Sequence, residues 1–393
     1  MPNVSIVIPV MNQLPFTRNC LDALFRRTPQ RLYELILVDN GSMDATPDYL
    51  QAQTHSFRYL RNETNLGFAK ACNQGAEAAR CEWVLFLNND TLPQQGWLET
   101  IVELAASDPQ IGAVGARLLW PNGTLQEAGG IVFSDAATCH IGNRDDASKE
   151  LYNTAYEVDF CSSACLLVRR NVFLSLGGFD TQYFPYYYEC PDLCFTLRSH
   201  NYRVMYCPDS LVIHYEGMTP LEAGLDREQL MEQNRQKFIA KWREELRLQP
   251  APPVESGLMV VESRQGIKLR VGKWYYIGND RVLKQNLERF IHLHLADPGV
   301  RLALYGAGKH TRRLLALNMI PKNRIVAIFD DLATVPNVSG IPVLHPRQAK
   351  PIEYDLLLVS SDSVWEDLAY KARQWVPEGR RIESLYSDLQ ELP

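Results

Sequence analysis

Buried strands alternate with helical segments through the first ninety residues, and this alternation constrains the fold more than any other feature. The runs VSIVIPV at 4–10 and YELILVDN at 33–40 are continuous and apolar, as expected of strands that are covered on both faces. An amphipathic segment near 15–27 separates them, and the pattern continues to the strand WVLFLNND at 83–90. This alternation predicts a mostly parallel α/β sheet, whose ligands bind beyond the carboxyl ends of the strands.

The second half of the chain follows a different pattern. From about residue 110, short strands are mixed with long polar loops, and the regular alternation ends. Residues 248–257, LQPAPPVESG, predict a linker because they contain three prolines. A predicted hairpin and helix follow, and RLALYGAGKH at 301–310 starts a second α/β unit. We therefore predict one domain over 1–247, a connecting region over 248–298 and a small Rossmann-like domain over 299–393.

Charge and hydropathy exclude some classes of protein. The net charge of -6 and the pI near 5.8 argue against a nucleic-acid partner, which requires a basic face. No apolar run approaches 18 residues, and the opening MPNVSIVIPV lacks the basic region of a secretory signal. These features predict a cytoplasmic protein with no transmembrane segment.

Four segments together resemble a known family. They are VSIVIPVMNQ, ELILVDNGSMDAT, NLGFAKACNQG with WVLFLNNDT, and a long segment from GGFD to HYEG, in that order over about 3–217. The chain resembles a family 2 glycosyltransferase with the GT-A fold, nearest the rhamnosyltransferase-like branch. The resemblance implies inverting transfer of a sugar from a UDP- or dTDP-sugar donor to a glycan or lipid-linked acceptor, as in polysaccharide biosynthesis. Peripheral association with the inner membrane is compatible with it.

The resemblance also implies a donor site at the carboxyl edge of the sheet. Asp39, at the end of a buried strand, can accept hydrogen bonds from a uracil or thymine ring, although DNGS is also good turn chemistry. The start of the helix after Asn65 and Gly67 favours phosphate, with Lys70 adding charge. The predicted donor-binding residues are Pro9, Val10, Asn12, Asp39, Asn65, Gly67, Lys70, Asn89 and Asp90.

A divalent metal, Mn²⁺ or Mg²⁺, is implied by the segment NND. It occupies the position of the D-x-D metal motif of the family, and a hard cation there stabilises the leaving diphosphate. Asp90 supplies the anionic ligand, whereas Asn88 replaces the first aspartate and leaves the site one charge short. His214 matches a position at which many relatives have a histidine ligand, although a histidine after an apolar strand is often structural.

The segment ECPDLC at 189–194 departs from the family pattern. Relatives usually read Glu-Asp-x-Asp-Leu, and the middle aspartate is the general base that takes the acceptor proton. Cys190 stands at that position, so Glu189 or Asp192 takes over, Cys190 acts as a thiolate, or the protein binds a nucleotide sugar without catalysis. Asp192 suits a capping role in the first turn of a predicted helix, and we therefore expect Glu189 to be the base.

The second domain carries part of a dinucleotide fingerprint. GAGKHT follows a predicted strand, and Asp330 lies 24 residues after Gly306, but Thr311 occupies the position of the third glycine. The domain resembles the small Rossmann-like units appended to sugar-modifying enzymes. NAD(P) binding is not expected there, and nucleotide sensing or homo-oligomer assembly are the alternatives.

Overall fold

The structure, a computed structural model, describes residues 3–215, 227–252, 259–262, 268–271, 280–333, 335–361 and 365–385. The chain divides into two compact units, Met1–Pro252 with Met259–Lys273 and Pro253–Leu258 with Trp274–Pro393. The predicted domain bounds at 247 and 299 stay a prediction, and part of the predicted linker lies outside the described residues.

The first unit contains a ten-stranded sheet in the described part of the chain. Its elements, with two flanking hairpins, are β1 (Val4–Val10), α1 (Leu14–Arg27), β2 (Tyr33–Asn40), α2 (Thr46–Gln51), β3 (Arg58–Asn62), α3 (Phe68–Ala78), β4 (Trp83–Leu87), β5 (Thr91–Pro93), α4 (Trp97–Ala106), β6 (Ile111–Leu119), β7 (Leu125–Glu127), β8 (Gly130–Val132), β9 (Thr138–His140), β10 (Tyr156–Glu157), β11 (Cys165–Arg169), α5 (Arg170–Ser175), α6 (Glu189–Ser199), β12 (Arg203–His214), α7 (Arg227–Lys241), α8 (Arg243–Leu246), β13 (Met259–Glu262) and β14 (Lys268–Val271).

The order of the main sheet is β10-β12-β6-β11-β4-β1-β2-β3. Strands β4, β1, β2 and β3 are parallel, whereas β11 is antiparallel to both of its neighbours. The predicted α/β class and parallel sheet are confirmed for this first half. Val10 pairs with Asp39, so the polar ends of β1 and β2 lie at one edge of the sheet.

Close packing of α3 on β1 brings the start of this helix to the same edge. At Gly75 a side-chain carbon would collide with the Val7 side chain, so glycine is required for the approach. Helix α1 covers the opposite face with buried Cys20, Leu21 and Leu24. The sheet and these two helices form the scaffold of the site.

Two sequence expectations differ from the structure. The sequence over 202–217 predicts two short strands, but β12 is one strand that pairs with β6 on both sides of a register shift between Cys207 and Leu211. The shift absorbs Pro208, which donates no ladder hydrogen bond, without ending the strand. The charged, amphipathic sequence over 226–246 predicts one helix, but the structure has two helices there, α7 and α8, which are separated at Trp242.

The second unit is a separate α/β unit. Its elements are α9 (Asp280–His294), β15 (Leu302–Tyr305), α10 (Lys309–Ala316), β16 (Ile325–Phe329), β17 (Asn337–Val338), β18 (Ile341–Leu344), β19 (Leu356–Val359), α11 (Trp365–Ala372) and β20 (Arg381–Ser384). The sheet order is β17-β18-β16-β15-β19-β20, and all pairs except β17–β18 are parallel. This second sheet is the predicted Rossmann-like unit.

Asp330 lies at the end of β16, where a dinucleotide domain binds ribose. Its carboxylate accepts hydrogen bonds from the backbone amides of Ala307, Leu332 and Ala333 at 2.8, 2.9 and 3.1 Å. These amides occupy both oxygens, so the carboxylate shapes the turn after β16 and the glycine loop. Among the described helices, none is long and apolar enough to cross a bilayer.

Limited proteolysis tests the predicted domain boundary. We expect the first cleavage between 248 and 257, because prolines there limit backbone pairing and the Leu248 side chain is 79% exposed. Mass spectrometry of the fragments locates the cut, and calorimetry of the C-terminal fragment should show a cooperative transition. A chain that resists cleavage there, or a fragment that melts without a transition, contradicts the boundary.

Candidate functional site

A cavity of about 480 Å³ opens in the first unit at the carboxyl edge of the parallel strands. The ends of β1 and β2, the start of α3 and the turn between β4 and β5 form one side. The loop before β11 and the segment leading into α6 form the other. The residues that line the cavity include Pro9, Val10, Asn40, Asn65, Asn88, Asn89, Asp90, Gln126, Glu127, His140, Ser162, Ser163, Tyr186, Tyr187, Tyr188, Glu189, Cys190, His214 and Met231.

Asp39 is next to this cavity but is not one of its lining residues. Its side chain is fully buried and accepts hydrogen bonds from the Ser42 amide at 2.8 Å and the Tyr59 hydroxyl at 2.7 Å. Arg61 lies 3.3 Å from the same carboxylate. The carboxylate therefore organises the turn after β2, and its contact with a pyrimidine ring stays a prediction.

The backbone amides at the start of α3 donate hydrogen bonds to acceptors within the protein. The amides of Leu66 and Gly67 donate to Asn40 Oδ1 and Asn65 Oδ1 at 3.1 and 2.9 Å, and the Phe68 amide donates to Pro185 O at 2.8 Å. These three groups are thus paired within the protein, which does not favour the phosphate site expected at this helix. Asn40, which is not one of the predicted donor-binding residues, links the end of β2 to this turn.

Three other predicted donor residues differ in their placement. Asn89 lines the cavity, and its amide donates to Thr17 Oγ1 at 3.0 Å. Asn12 is not a lining residue, and its Oδ1 accepts from the Met43 amide at 2.8 Å. Lys70 is exposed on α3 and does not line the cavity, so its predicted contact with phosphate gains no support.

Asn88, Asp90 and His214 come together in the cavity wall. His214 Nε2 lies 3.2 Å from Asp90 Oδ1 and 3.5 Å from the Asn88 amide nitrogen. His214 Nδ1 lies 2.9 Å from Gln126 Oε1, an acceptor, so Nδ1 carries the proton in the neutral ring and Nε2 carries the lone pair. Asn88 Oδ1 is buried without a hydrogen-bond partner among the described residues.

This donor set fits a hard divalent cation. A carboxylate oxygen and an imidazole lone pair that face each other at 3.2 Å need a proton or a cation between them. The amide oxygen of Asn88, which is buried without a hydrogen-bond partner among the described residues, would supply a third ligand. Among the described residues, no three His, Cys, Asp or Glu side chains are grouped so that they could hold a metal ion. A site with three ligands here therefore includes the Asn88 amide, and Asp90 is its one carboxylate.

Glu189 is the first residue of α6 and projects into the cavity. Its side chain is buried, and Oε2 has no hydrogen-bond partner among the described residues. Burial, which disfavours the charged form, raises the pKa of Glu189 to about 7. A carboxylate with a free oxygen and a pKa near neutrality has the properties of a general base.

Asp192 is one turn further along α6 and does not line the cavity. Its carboxylate accepts hydrogen bonds from Tyr183 Oη at 3.0 Å, Trp242 Nε1 at 2.7 Å and Lys241 Nζ at 2.8 Å. Burial raises its pKa, and the Lys241 charge opposes this rise. Because these contacts tie α6 to the end of α7 and to Tyr183 ahead of α6, this arrangement favours a structural role for Asp192.

Cys190 contacts the turn before β11, and its Sγ also donates to Glu189 Oε1 at 3.6 Å. Its Sγ lies 2.8 Å from Ser163 Oγ and accepts from the Ser163 amide at 3.3 Å. Burial and the neighbouring Glu189 charge raise the pKa of the Cys190 thiol well above its usual range. The side chain is therefore a thiol at neutral pH, which argues against the thiolate interpretation.

The sequence did not single out a second acid and base pair in the cavity. Glu127 is almost fully buried, its Oε1 accepts from the Ser162 amide at 2.8 Å, and its Oε2 lies 2.5 Å from His140 Nδ1. The last contact has the distance of an ion pair but not the angles of a hydrogen bond. No local motif marks these residues, since the short hairpin β8–β9 brings His140 to the end of β7.

Comparisons with known proteins agree with this geometry. Residues 5–177 match the family model Glycosyl transferase family 2, a match that ends before Glu189 and His214. O-antigen biosynthesis protein RfbC of Myxococcus xanthus is 32% identical over 223 residues, which are 55% of this chain and 17% of that protein. N-acetylglucosaminyl-diphospho-decaprenol L-rhamnosyltransferase of Mycobacterium tuberculosis is 28% identical over 209 residues, which are 48% of this chain and 68% of that protein.

A solved structure shares the fold. GalNAc-T7 with UDP, GalNAc and Mn²⁺ gives a TM-score of 0.50 at 16% identity and covers 63% of this chain and 49% of that chain. This likeness confirms the predicted GT-A fold. The chain thus spans about a sixth of the Myxococcus protein and half of the solved one.

Proposed function

We propose, on the premise that residues 5–177 match the Glycosyl transferase family 2 model, that the chain is an inverting glycosyltransferase. It moves a hexosyl or deoxyhexosyl group from a UDP- or dTDP-sugar to a glycan or lipid-linked glycan acceptor. The observation that carries the proposal is Glu189, a buried carboxylate with an unpartnered oxygen in the cavity wall and a pKa of about 7.

The chemistry follows from the position of this carboxylate. Glu189 takes the proton of the acceptor hydroxyl, and the oxygen forms a bond to the anomeric carbon on the face opposite to the diphosphate. The bond between the anomeric carbon and the diphosphate oxygen breaks, and the diphosphate leaves with the electron pair. The configuration at the anomeric carbon is thereby inverted.

The charge of the cavity supports a requirement for a divalent cation. Its described lining residues include the carboxylates of Asp90, Glu127 and Glu189 but no lysine or arginine. A diphosphate in this surrounding needs positive charge from elsewhere. Asn88, Asp90 and His214 would hold Mn²⁺ or Mg²⁺, which would neutralise the leaving diphosphate.

The acceptor side supports a carbohydrate. Tyr186, Tyr187 and Tyr188 line the wall beside Glu189, and aromatic rings with polar groups suit the apolar faces and hydroxyls of a sugar. The mycobacterial relative carries an N-acetylglucosaminyl-diphospho-lipid acceptor in its name. We therefore propose an acceptor of this class, used in the cytoplasm at the membrane surface; a homo-oligomer through the second unit stays a prediction.

A two-step experiment tests the proposal on the whole chain. A thermal-shift screen of UDP-, dTDP- and GDP-sugars with Mn²⁺ and with EDTA identifies the donor, and mass spectrometry then detects transfer to an N-acetylglucosaminyl-diphospho-lipid. We expect a pyrimidine donor to stabilise the protein only with metal, and a product with inverted configuration by NMR. If a donor stabilises the protein but is neither transferred nor hydrolysed, the result would instead favour a nucleotide-sugar binding protein without catalysis. Cys190 and Asn88 are the residues that motivate this alternative.

Substitution of Cys190 tests the interpretation of this position. We expect Cys190→Ser to retain turnover within a few-fold, because the thiol is neutral and a hydroxyl preserves the contact with Ser163. Cys190→Asp should raise the rate if an aspartate at this position can share the proton with Glu189. Steady-state rates with matched donor affinity decide, and complete loss in Cys190→Ser with intact donor binding assigns the base to the thiol.

A further inference from the structure

Three carbonyl oxygens of the segment Tyr183–Tyr187, here the tyrosine segment, converge on one buried amide of α7. Asn234 is fully buried, and its Nδ2 lies 2.9 Å from Tyr186 O, 3.1 Å from Tyr187 O and 3.3 Å from Tyr183 O. An amide nitrogen has two N–H donors, so three carbonyls share them. The same side chain accepts from Lys237 Nζ at 2.8 Å through Oδ1, which fixes the orientation of the amide.

The backbone that Asn234 holds is strained. Tyr187 and Tyr188 have φ values of 77° and 76°, in the left-handed region that bulky residues rarely adopt. Such a conformation persists where the surrounding contacts determine it, and it is concentrated at functional sites. Glu189 follows directly as the first residue of α6, so this turn sets the direction in which its carboxylate enters the cavity.

Other side chains on the same face of α7 hold the two ends of this region. Lys241 Nζ lies 2.8 Å from both Asp180 and Asp192, before and after the turn. Lys237 Nζ donates to Gln182 O at 2.6 Å. Positions 234, 237 and 241 recur at the spacing of one helix face, so a single face of α7 braces residues 180–192.

We propose that Asn234 is a positioning residue that holds Glu189 in its buried location through the backbone of the tyrosine segment. Asn234 itself does not line the cavity. The inference rests on the proposed transfer reaction, in which Glu189 takes the acceptor proton, but the contacts that carry it are independent of the identity of the donor.

The groups around Glu189 predict what loss of this brace does. Cys72 from α3, Cys190 from α6 and Tyr183 from the tyrosine segment all have raised pKa values because they are buried, so they are neutral near pH 7. The charged neighbour is Asp192 on α6, which is paired with Lys241 from α7. The pKa of Glu189 therefore depends mainly on burial, and water admitted to the turn lowers it towards its ordinary range.

Asn234→Ala and Asn234→Asp test the proposal, because each removes the N–H donors. We expect kcat to fall roughly 10- to 100-fold with unchanged affinity for UDP, since a displaced catalytic group is lost from the reacting geometry. The acid limb of the kcat–pH profile should move below its wild-type position, and hydrogen exchange of the 183–190 amides should accelerate. Gln236→Ala, an exposed position on the same helix that donates to Glu232, is the matched control and should behave as wild type.

Lys237→Met guards against a variant that fails to fold, because it leaves Asn234 in place and removes one support of its amide. We expect a smaller acceleration of exchange in the same segment. Wild-type exchange over 183–190 in the folded Asn234 variants overturns the proposal, as does a fall in kcat with an unmoved acid limb. If the wild type transfers no sugar at all, the proposed function fails, and the exchange measurement still decides whether Asn234 braces the segment.

Discussion

Glu189→Gln is expected to lower the turnover number by roughly 10²-fold or more while the affinity for the nucleotide-sugar donor stays unchanged. Glutamine has the same shape as the carboxylate but cannot accept a proton from the acceptor hydroxyl. Steady-state kinetics with a saturating donor measure the loss, and calorimetric titration with UDP measures the affinity. Unchanged turnover in this variant would exclude Glu189 as the base.

The pH dependence of the wild type supplies a second measurement of the same group. A base must be ionised to act, so activity rises with pH as the Glu189 carboxyl loses its proton. Because burial raises the pKa of Glu189 to about 7, we expect the acid limb of the kcat profile near pH 7 and not near the usual value of a glutamate. Any activity left in Glu189→Gln should lack this limb.

Stability distinguishes the loss of a base from damage to the fold. The pKa of Glu189 is raised in the folded state, so the ionised carboxylate disfavours folding above its unfolded pKa, increasingly up to about pH 7. Glu189→Gln should therefore melt at pH 8 no lower than the wild type. Asp192→Asn is the contrasting variant: it weakens a buried contact with Lys241, and we expect a lower melting temperature. Loss of turnover confined to Asp192→Asn, without loss of stability, would reassign the base.

The sequence predicted the scaffold well because local patterns determine it. The continuous apolar runs at β1, β2 and β4 are long enough to identify buried strands, and the parallel order follows from the helices between them. The turn Asn88–Asp90 was predicted at the sheet edge, and the structure brings it to His214 across 124 residues through the pairing of β5 with β12. The position of this turn at a strand end, together with the family resemblance, was sufficient to predict its contact with His214.

The parts that sequence did not predict depend on contacts between distant segments. The Glu127–His140 pair forms because a short hairpin folds back on β7, and no residue spacing encodes it. The helix start at Phe68 resembles a phosphate site, yet Asn40 and Pro185, which lie elsewhere in the chain, take up its amides. Likewise, Glu189 and Asp192 are both carboxylates in the first turn of α6. The contacts of Asp192 with Lys241 and Trp242 distinguish its role from that of Glu189.

Asp90→Ala is expected to remove the metal-dependent part of donor binding. Asp90 is the one carboxylate in the group with Asn88 and His214, and a hard cation depends on anionic oxygen for affinity. We expect Mn²⁺ affinity to fall by roughly 100-fold or more, because loss of a direct metal ligand costs more than loss of a group that only hydrogen-bonds to a ligand. Without the cation the diphosphate faces the carboxylates of Glu127 and Glu189, so donor affinity and turnover fall together. Titration of UDP with Mn²⁺ and with EDTA measures the difference in both proteins.

Asn88→Asp provides the matched test in the opposite direction. It places a second carboxylate in the group, at residue 88, where Oδ1 is buried and has no hydrogen-bond partner among the described residues. If Asn88, Asp90 and His214 hold the cation, Asn88→Asp binds Mn²⁺ more tightly than the wild type. The matched control is Asn89→Asp, which should gain much less Mn²⁺ affinity because the Asn89 amide contacts Thr17. Equal UDP affinity with Mn²⁺ and with EDTA in the wild type, in Asp90→Ala and in Asn88→Asp would show that the donor is bound without a metal.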